Sequence, residues 1–313
     1  IYKLSKWRPN LYVNISDCKD ILRFCLPILG SELLGAVNRN GDRLFLGKFL
    51  GLSVLGVYNI SVNGSRIIRK SLIKPVSDVI YPSFNIQNKN EKNKILFIKY
   101  FKLISFLTLP IYIYLFLFRE EFILTLYGSK WVDSIVPFSI LLFIIFRKGF
   151  STITSSILII NKKMHWQFYL NCISLIFYLA ILIYISKFGL NIFCVALLIK
   201  NYVFSSIKIY LVRKLIGLSF SDFFKTQLDI IYTNLSLLIS LLALKYFVNF
   251  ENPIITLCFF AAFTILTYWL VNHLLKSKSY ILALSLGSKI KILSPLCKTL
   301  LKKGVSNEKN TYL

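Results

Sequence analysis

Long apolar runs alternate with short basic clusters along this chain. A hydrocarbon core of ~30 Å takes ~20 helical residues, and eight runs approach or exceed that length: 21–40, 52–80, 97–118, 134–160, 166–187, 189–212, 228–249 and 253–275. The second run is over-long and is interrupted near Pro75, and the fourth begins before Pro137. Tilting, kinking or extension beyond the bilayer is therefore expected in both. The pattern predicts an all-α fold, a polytopic membrane helix bundle of eight transmembrane helices.

Composition strengthens this picture. The apolar fraction is 56% and the mean hydropathy +0.65, above the ~45–50% apolar share of ordinary soluble domains. The 38 Lys and Arg and 13 Asp and Glu fall in clusters that leave the apolar runs almost free of charge. A net charge of +25 would suggest a nucleic-acid partner in a soluble protein. Here it is explained without one, because basic clusters beside apolar spans set membrane orientation.

The distribution of those bases gives the orientation. With the amino end inside, the inner segments hold Lys3, Lys6, Arg8 and Lys19, then Lys89, Lys92, Lys94 and Lys99, then Lys162 and Lys163, then Arg213, Lys214 and Lys225. The Lys-rich tail 276–313 adds to the same side and is expected to lie solvated against anionic headgroups. The outer set is smaller: Arg39, Arg43, Lys48, Arg119, Lys130 and Lys187. This asymmetry places both ends in the cytoplasm and requires an even number of spans.

Polar side chains inside the spans are the candidate chemistry, since an ionised group at mid-bilayer costs ~2.5–3.5 kcal/mol and needs a protein or water-filled surround. In the second run Asn59, Asn63, Arg66, Lys70, Lys74 and Asp78 recur at intervals of three or four, along one helix face. Either this half-helix has reached the interface, where Lys and Arg snorkel, or it lines a cavity that binds an anion. Arg147 and Lys148 lie well inside the fourth run, followed by Ser151, Thr154 and Ser155, and Lys200 lies near the middle of the sixth beside Asn201. The substrate-binding set is accordingly Arg66, Lys70, Lys74, Arg147, Lys148 and Lys200. Glu32, Arg39, Asp42, Arg43 and Asp78 are read as possible gate or ion-pair residues. The seventh and eighth runs carry no ionised residue near their centres and read as peripheral, lipid-facing additions.

Other chemistries are not supported. Cys18, Cys25, Cys172, Cys194, Cys258 and Cys297 form no CxxC pair and have no His at ligand spacing, so neither a metal site nor a redox motif nor a cofactor is expected. His165 and His273 sit at inner helix ends, and no close pair of acids within a span suggests general acid and base work. The Gly47 to Gly51 GxxxG is short enough to be helix packing or a turn. Residues 1–20 contain no apolar core of a signal peptide.

Four segments carry a family resemblance: GDRLFLGKFLGLSVLGVYNIS (Gly41–Ser61), VSDVIYPSF (Val76–Phe84), FILTLYGSKW (Phe122–Trp131) and IINKKMHWQF (Ile159–Phe168). In this order, each at a helix junction, they resemble the polysaccharide transporter branch of the multidrug/oligosaccharidyl-lipid/polysaccharide flippases, the Wzx-type proteins. The resemblance runs over roughly residues 10–275. It implies two six-helix lobes around a central cavity, often with two extra carboxyl-terminal helices. On that pattern 1–20 is a cytoplasmic lead-in, 21–212 the second lobe, 213–275 a cytoplasmic connector and the extra pair, and 276–313 the tail, with an amino-terminal lobe expected in the full-length protein.

The implied activity is transport, not catalysis: an undecaprenyl-diphosphate-linked sugar unit moves across the cytoplasmic membrane by alternating access. The implied partners are that lipid-linked anionic saccharide and membrane lipids, with no nucleic acid. The cationic face fits independently, because a diphosphate needs compensating charge to cross hydrocarbon. Two rivals are a membrane enzyme of polysaccharide assembly, which would be expected to show a large polar loop or a cytoplasmic acidic motif, and a drug exporter of the same superfamily, which would rely on cavity acids.

Overall fold

The computed structural model describes residues 15–68, 73, 90–225, 227–248, 250–275 and 280–281, and among them no strand occurs. The helix α1 spans Ile15–Phe49, about 52 Å at 1.5 Å per residue. That exceeds the hydrocarbon thickness, so part of α1 projects beyond it or the helix tilts. Pro27 lies within it. The expected first span, 21–40, is its middle; residues 41–49 continue the helix where a loop was expected, because Asp42 and Leu46 turn inward and are buried. The helix stops at Gly51, whose φ of +87° suits glycine and reverses the chain. This is the turn at the end of the GxxxG.

From there α2 spans Gly51–Ile68, and the remainder of the second expected run, with Lys70, Lys74, Pro75 and Asp78, lies outside the described residues. The helix α3 (Asn90–Leu117) leads into α4 (Arg119–Tyr127). A tight 3-10 segment, Ser129–Ser134, precedes α5 (Ile135–Lys148) and α6 (Ser151–Ile160). Next come α7 (Met164–Ala180), extended by a wide turn at Ile181–Ile185, and α8 (Leu190–Leu215). The short α9 (Phe220–Lys225) joins α10 (Leu228–Phe247) and α11 (Pro253–Leu274). Asn252 caps α11 by accepting from the Ile254 amide at 2.9 Å, with Pro253 at the first helical position.

Among the described residues, six stretches are helical, long and apolar enough to cross a membrane: Asn93–Leu117, Ser129–Ile160, Met164–Ile185, Leu190–Leu215, Leu228–Phe247 and Pro253–Leu274. They coincide with the last six of the eight expected spans, and the chain is a helical polytopic membrane bundle. The first expected span and the described part of the second fall on α1 and α2, which are helical but are not among those six.

In the bundle, α1 packs on α2 and α7, α2 on α5, α5 on α8, and α7 on α8. Leu46, Tyr58, Val62, Leu141, Tyr178 and Phe193 form the core where these meet. A second core, around Phe101, Phe150 and Ile153, joins α3, α6 and α8.

The α10–α11 pair docks one face on α3 and α4, through Phe118, Leu237, Leu241 and Phe260. Lys102 pairs with Asp229 at 3.4 Å near one end of α10, and Lys245 with Glu121 at 3.3 Å near the other. The Tyr114 and Tyr268 hydroxyls donate to the Leu257 and Phe106 carbonyls. Its other faces expose Ile231, Leu235, Ile239, Ile265 and Leu266, as a lipid-facing surface would.

Candidate functional site

The cations of the fourth expected span sit where its helix is interrupted. Between α5 and α6 the Gly149 amide donates to Phe146 at 3.0 Å and the Phe150 amide to Arg147 at 3.3 Å, an i→i−3 tightening in mid-span. Arg147 and Lys148 occupy the last turn of α5, where the carbonyl end of the helix favours positive charge.

Beside this interruption a cavity of about 160 Å³ opens between α5, α6, α7 and α8. Arg147, Lys148, Ser151 and Thr154 form one wall. Gln167, Asn171 and Ser174 form a second from α7, and Asn201, Ser205 and Lys208 a third from α8. Both sets follow the i, i+4, i+7 spacing that keeps side chains on one helix face. The cavity is thus a cationic and amide-lined chamber inside membrane-spanning helices.

Its cations are held in defined places. Arg147 donates through Nη2 to the Ser206 hydroxyl at 3.0 Å and stands 5.6 Å from the Tyr202 ring centre. Its Nε is buried without an acceptor among the described residues. Lys208 donates to Ser155 at 2.9 Å and is attracted by Glu32 of α1. Lys208 was not singled out from the sequence: it lies toward the carboxyl-terminal end of its span, where a lysine reads as an interfacial anchor.

Next to the chamber is a buried acid. The Asp42 carboxylate accepts from the hydroxyls of Tyr58 on α2 and Tyr178 on α7, so three helices converge on it. Gly41 permits this approach, because a Cβ there would lie 2.9 Å from the Tyr178 hydroxyl. Lys200 places its ammonium 4.5 Å from the Tyr178 ring centre, attracted by Asp42 and repelled by Lys148.

The structure therefore brings Arg147 and Lys148 together on one chamber, with Lys200 within electrostatic range of Lys148. Arg66, half-buried at the end of α2, is not part of the chamber lining. Arg43 donates to Asn63 at 3.4 Å and Glu32 is exposed on α1. The side chain of Arg39, together with Lys70, Lys74 and Asp78, lies outside the described residues.

Residues 1–137 match a family of polysaccharide biosynthesis proteins. Among similar proteins, the lipopolysaccharide biosynthesis protein WzxC of Escherichia coli (strain K12) is 27% identical over 132 residues, 42% of this chain and 27% of that protein. The teichuronic acid biosynthesis protein TuaB of Bacillus subtilis (strain 168) is 25% identical over 166 residues, 52% of this chain and 34% of that protein. The succinoglycan biosynthesis transport protein ExoT of Rhizobium meliloti (strain 1021) is 22% identical over 133 residues, 42% of this chain and 27% of that protein. The matched stretch thus spans about a third or less of each relative. No solved structure matches the chain. The chain is similar to these polysaccharide biosynthesis and transport proteins, and the matched residues 1–137 hold the first three of the four segments noted above.

Proposed function

We propose that this chain forms one lobe of a transporter that moves a lipid-linked, diphosphate-bearing saccharide across the cytoplasmic membrane. The observation that carries the reading is the chamber between α5 and α8, where Arg147, Lys148 and Lys208 stand inside membrane-spanning helices among amides and hydroxyls. Each of these half-buried cations within a span carries an insertion cost that a purely structural helix contact would not need. An anionic headgroup entering the chamber would meet charge-assisted donors that replace its lost hydration.

The proposal includes an undecaprenyl carrier whose chain stays in lipid while the diphosphate and sugar pass through the protein. It includes alternating access of this lobe against a second one, an arrangement in keeping with how short a part of each relative the matched stretch covers. Both ends of the chain face the cytoplasm on this reading, as the basic inner segments favour. The protein does no bond-making chemistry: its residues bind, orient and release. Arg66, Lys70, Lys74 and Lys200 are assigned to the same cationic path, and Glu32, Asp42 and Asp78 to the ion pairs that hold it when no substrate is bound.

The test is appearance of the lipid-linked sugar in the outer leaflet, measured with the full-length transporter at matched protein levels. Arg147→Gln combined with Lys148→Gln should abolish it, while Lys187→Gln in an outer turn should not. Wild-type transport by the double variant would overturn the assignment.

A further inference from the structure

The connector that follows α8 is shaped to lie along a membrane surface. Gly217, at φ +65°, turns the chain out of α8, and Ile216 and Leu218 bury in a core shared with Phe97 of α3, Leu158 of α6 and Met164 of α7. The short α9 is held against that core by Phe223, which meets the Phe101 ring edge-on at 4.9 Å. At ~100° per residue, Phe220, Phe223 and Phe224 fall within one arc of about 100°. Phe223 takes the protein edge of the arc, and Phe220 and Phe224, 67% and 51% exposed, carry it onto the outer surface.

Beside these rings stands a guanidinium whose donors are not all used. Arg213, in the last turn of α8, lies 5.0 Å from the Phe220 ring centre and 5.7 Å from that of Tyr210. Its Nη1 is buried without an acceptor among the described residues. Lys214 and Lys225, on either side of the turn, are exposed. Asp229, the next acid along the chain with a described side chain, is engaged by Lys102 at 3.4 Å; the side chain of Asp222 lies outside the described residues. Arg213 does not line the chamber.

An anion-seeking group is thus joined to an uncovered apolar surface. A soluble phosphate would satisfy the guanidinium and leave Phe220 and Phe224 in water. A lipid without an anionic head would cover the rings and leave the guanidinium short of an acceptor. A phospholipid of net negative charge does both, because its phosphate oxygens match the fork of an arginine and its acyl chains cover the rings.

We propose that Arg213, Tyr210, Phe220 and Phe224 form a site for one anionic phospholipid of the surrounding bilayer, which fixes α9 in the plane of the interface. The site takes a resident lipid and not a cargo, so it does not depend on the transporter reading.

The experiment measures binding of three probes to the purified, delipidated full-length protein: dioctanoyl phosphatidylglycerol, dioctanoyl phosphatidylcholine and glycerol 3-phosphate. Phosphatidylglycerol should bind about fivefold or more tighter than phosphatidylcholine, because of its net charge. Glycerol 3-phosphate, without acyl chains, should bind about tenfold or more weaker than phosphatidylglycerol. Arg213→Gln should weaken phosphatidylglycerol binding about tenfold or more, as loss of a charge-assisted hydrogen bond gives. Arg213→Lys, which keeps the charge and loses the fork, should weaken it less. Phe224→Ser leaves the Arg213 stack in place and should weaken phosphatidylglycerol about threefold without changing glycerol 3-phosphate. Lys130→Gln, at the other end of the bundle, should change none of these.

Equal binding of the two phospholipids, or undiminished phosphatidylglycerol binding by Arg213→Gln, would overturn the site. Glycerol 3-phosphate binding as tight as that of phosphatidylglycerol would overturn it in favour of a soluble anion. Should Arg213→Gln fail to fold, Phe224→Ser decides, and phosphatidylglycerol binding at wild-type strength in that variant would overturn the site equally.

Discussion

The hydroxyl of Tyr178 donates to the carboxylate of Asp42, a residue 136 positions earlier in the chain. Tyr58 supplies a second donor to the same carboxylate, so α1, α2 and α7 are tied at one buried point. A hydrogen bond to a charged group contributes about 1.5–3 kcal/mol. Tyr178→Phe should therefore lower stability by roughly that amount, and Asp42→Ala by at least as much, because it leaves two buried hydroxyls without their acceptor. The double variant should cost clearly less than the sum of the two. Thermal unfolding of the four proteins in one detergent tests this, and strictly additive losses would show that the two groups do not interact.

Two helix ends have the same hydrogen-bonded form but different residues at the critical position. After α8 the Leu218 amide bonds to Arg213 and the Gly217 amide to Lys214, with Gly217 at φ +65°. After α6 the Lys163 amide bonds to Leu158 and the Lys162 amide to Ile159, and here Lys162 holds a φ of +54°. Left-handed backbone costs a residue with a Cβ roughly 1–2 kcal/mol, which glycine avoids. Lys162→Gly is expected to stabilise the protein by about 1 kcal/mol, after allowing for glycine's greater freedom in the unfolded chain, and Gly217→Ala to destabilise it by a similar amount. Opposite signs in denaturation experiments are the expected outcome; the same sign for both would contradict the shared geometry.

The bundle was legible in the sequence because lipid demands unbroken apolar length, and length can be read in one dimension. The end of α1 was not: Gly41, Asp42 and Arg43 together look like a turn, and only tertiary contacts with Tyr58 and Tyr178 bury the acid and keep the helix going. At the chamber Arg147 and Lys148, and beside it Lys200, were visible because an ionised side chain within a span is conspicuous. Gln167, Asn171 and Ser174 were not, because neutral polar groups disturb an apolar run far less. Their i, i+4, i+7 spacing is the signal that could have found them, and it gains meaning only beside the matching Asn201, Ser205 and Lys208 of the neighbouring helix. The site is a property of helix adjacency, and adjacency is what the pattern of one chain leaves open.

Orientation has a direct test. Lys187, in the turn before α8, and Lys214, in its last turn, are both exposed and lie at opposite ends of one span. In a cysteine-free background of the full-length protein, Lys187→Cys should react with an impermeant thiol reagent in intact cells. Lys214→Cys should react only after permeabilisation. The reverse pattern would turn the whole bundle over and place the basic inner segments outside, against the positive-inside preference.

Lys208 separates a working cation from a structural one. Its ammonium donates to Ser155 and is attracted by Glu32 across the gap to α1. If Lys208 served only to hold α8 against its neighbours, Lys208→Met would break a partly buried polar contact and weaken the protein. As a group kept for a ligand, it burdens the empty protein instead: a charge at mid-span costs ~2.5–3.5 kcal/mol on the insertion scale, and even the smaller part of that cost that applies near the end of a span offsets the about 1 kcal/mol of the lost hydrogen bond. Lys208→Met should thus be inserted as well as wild type or better, and should unfold at an equal or higher temperature. It should nevertheless transport poorly, the trade of stability against activity that binding groups characteristically show. Lys208→Arg, which keeps the charge, should recover part of the transport and lose the gain in stability. A Lys208→Met protein that is less stable and yet transports at the wild-type rate would place Lys208 among the packing residues and remove it from the cationic chamber.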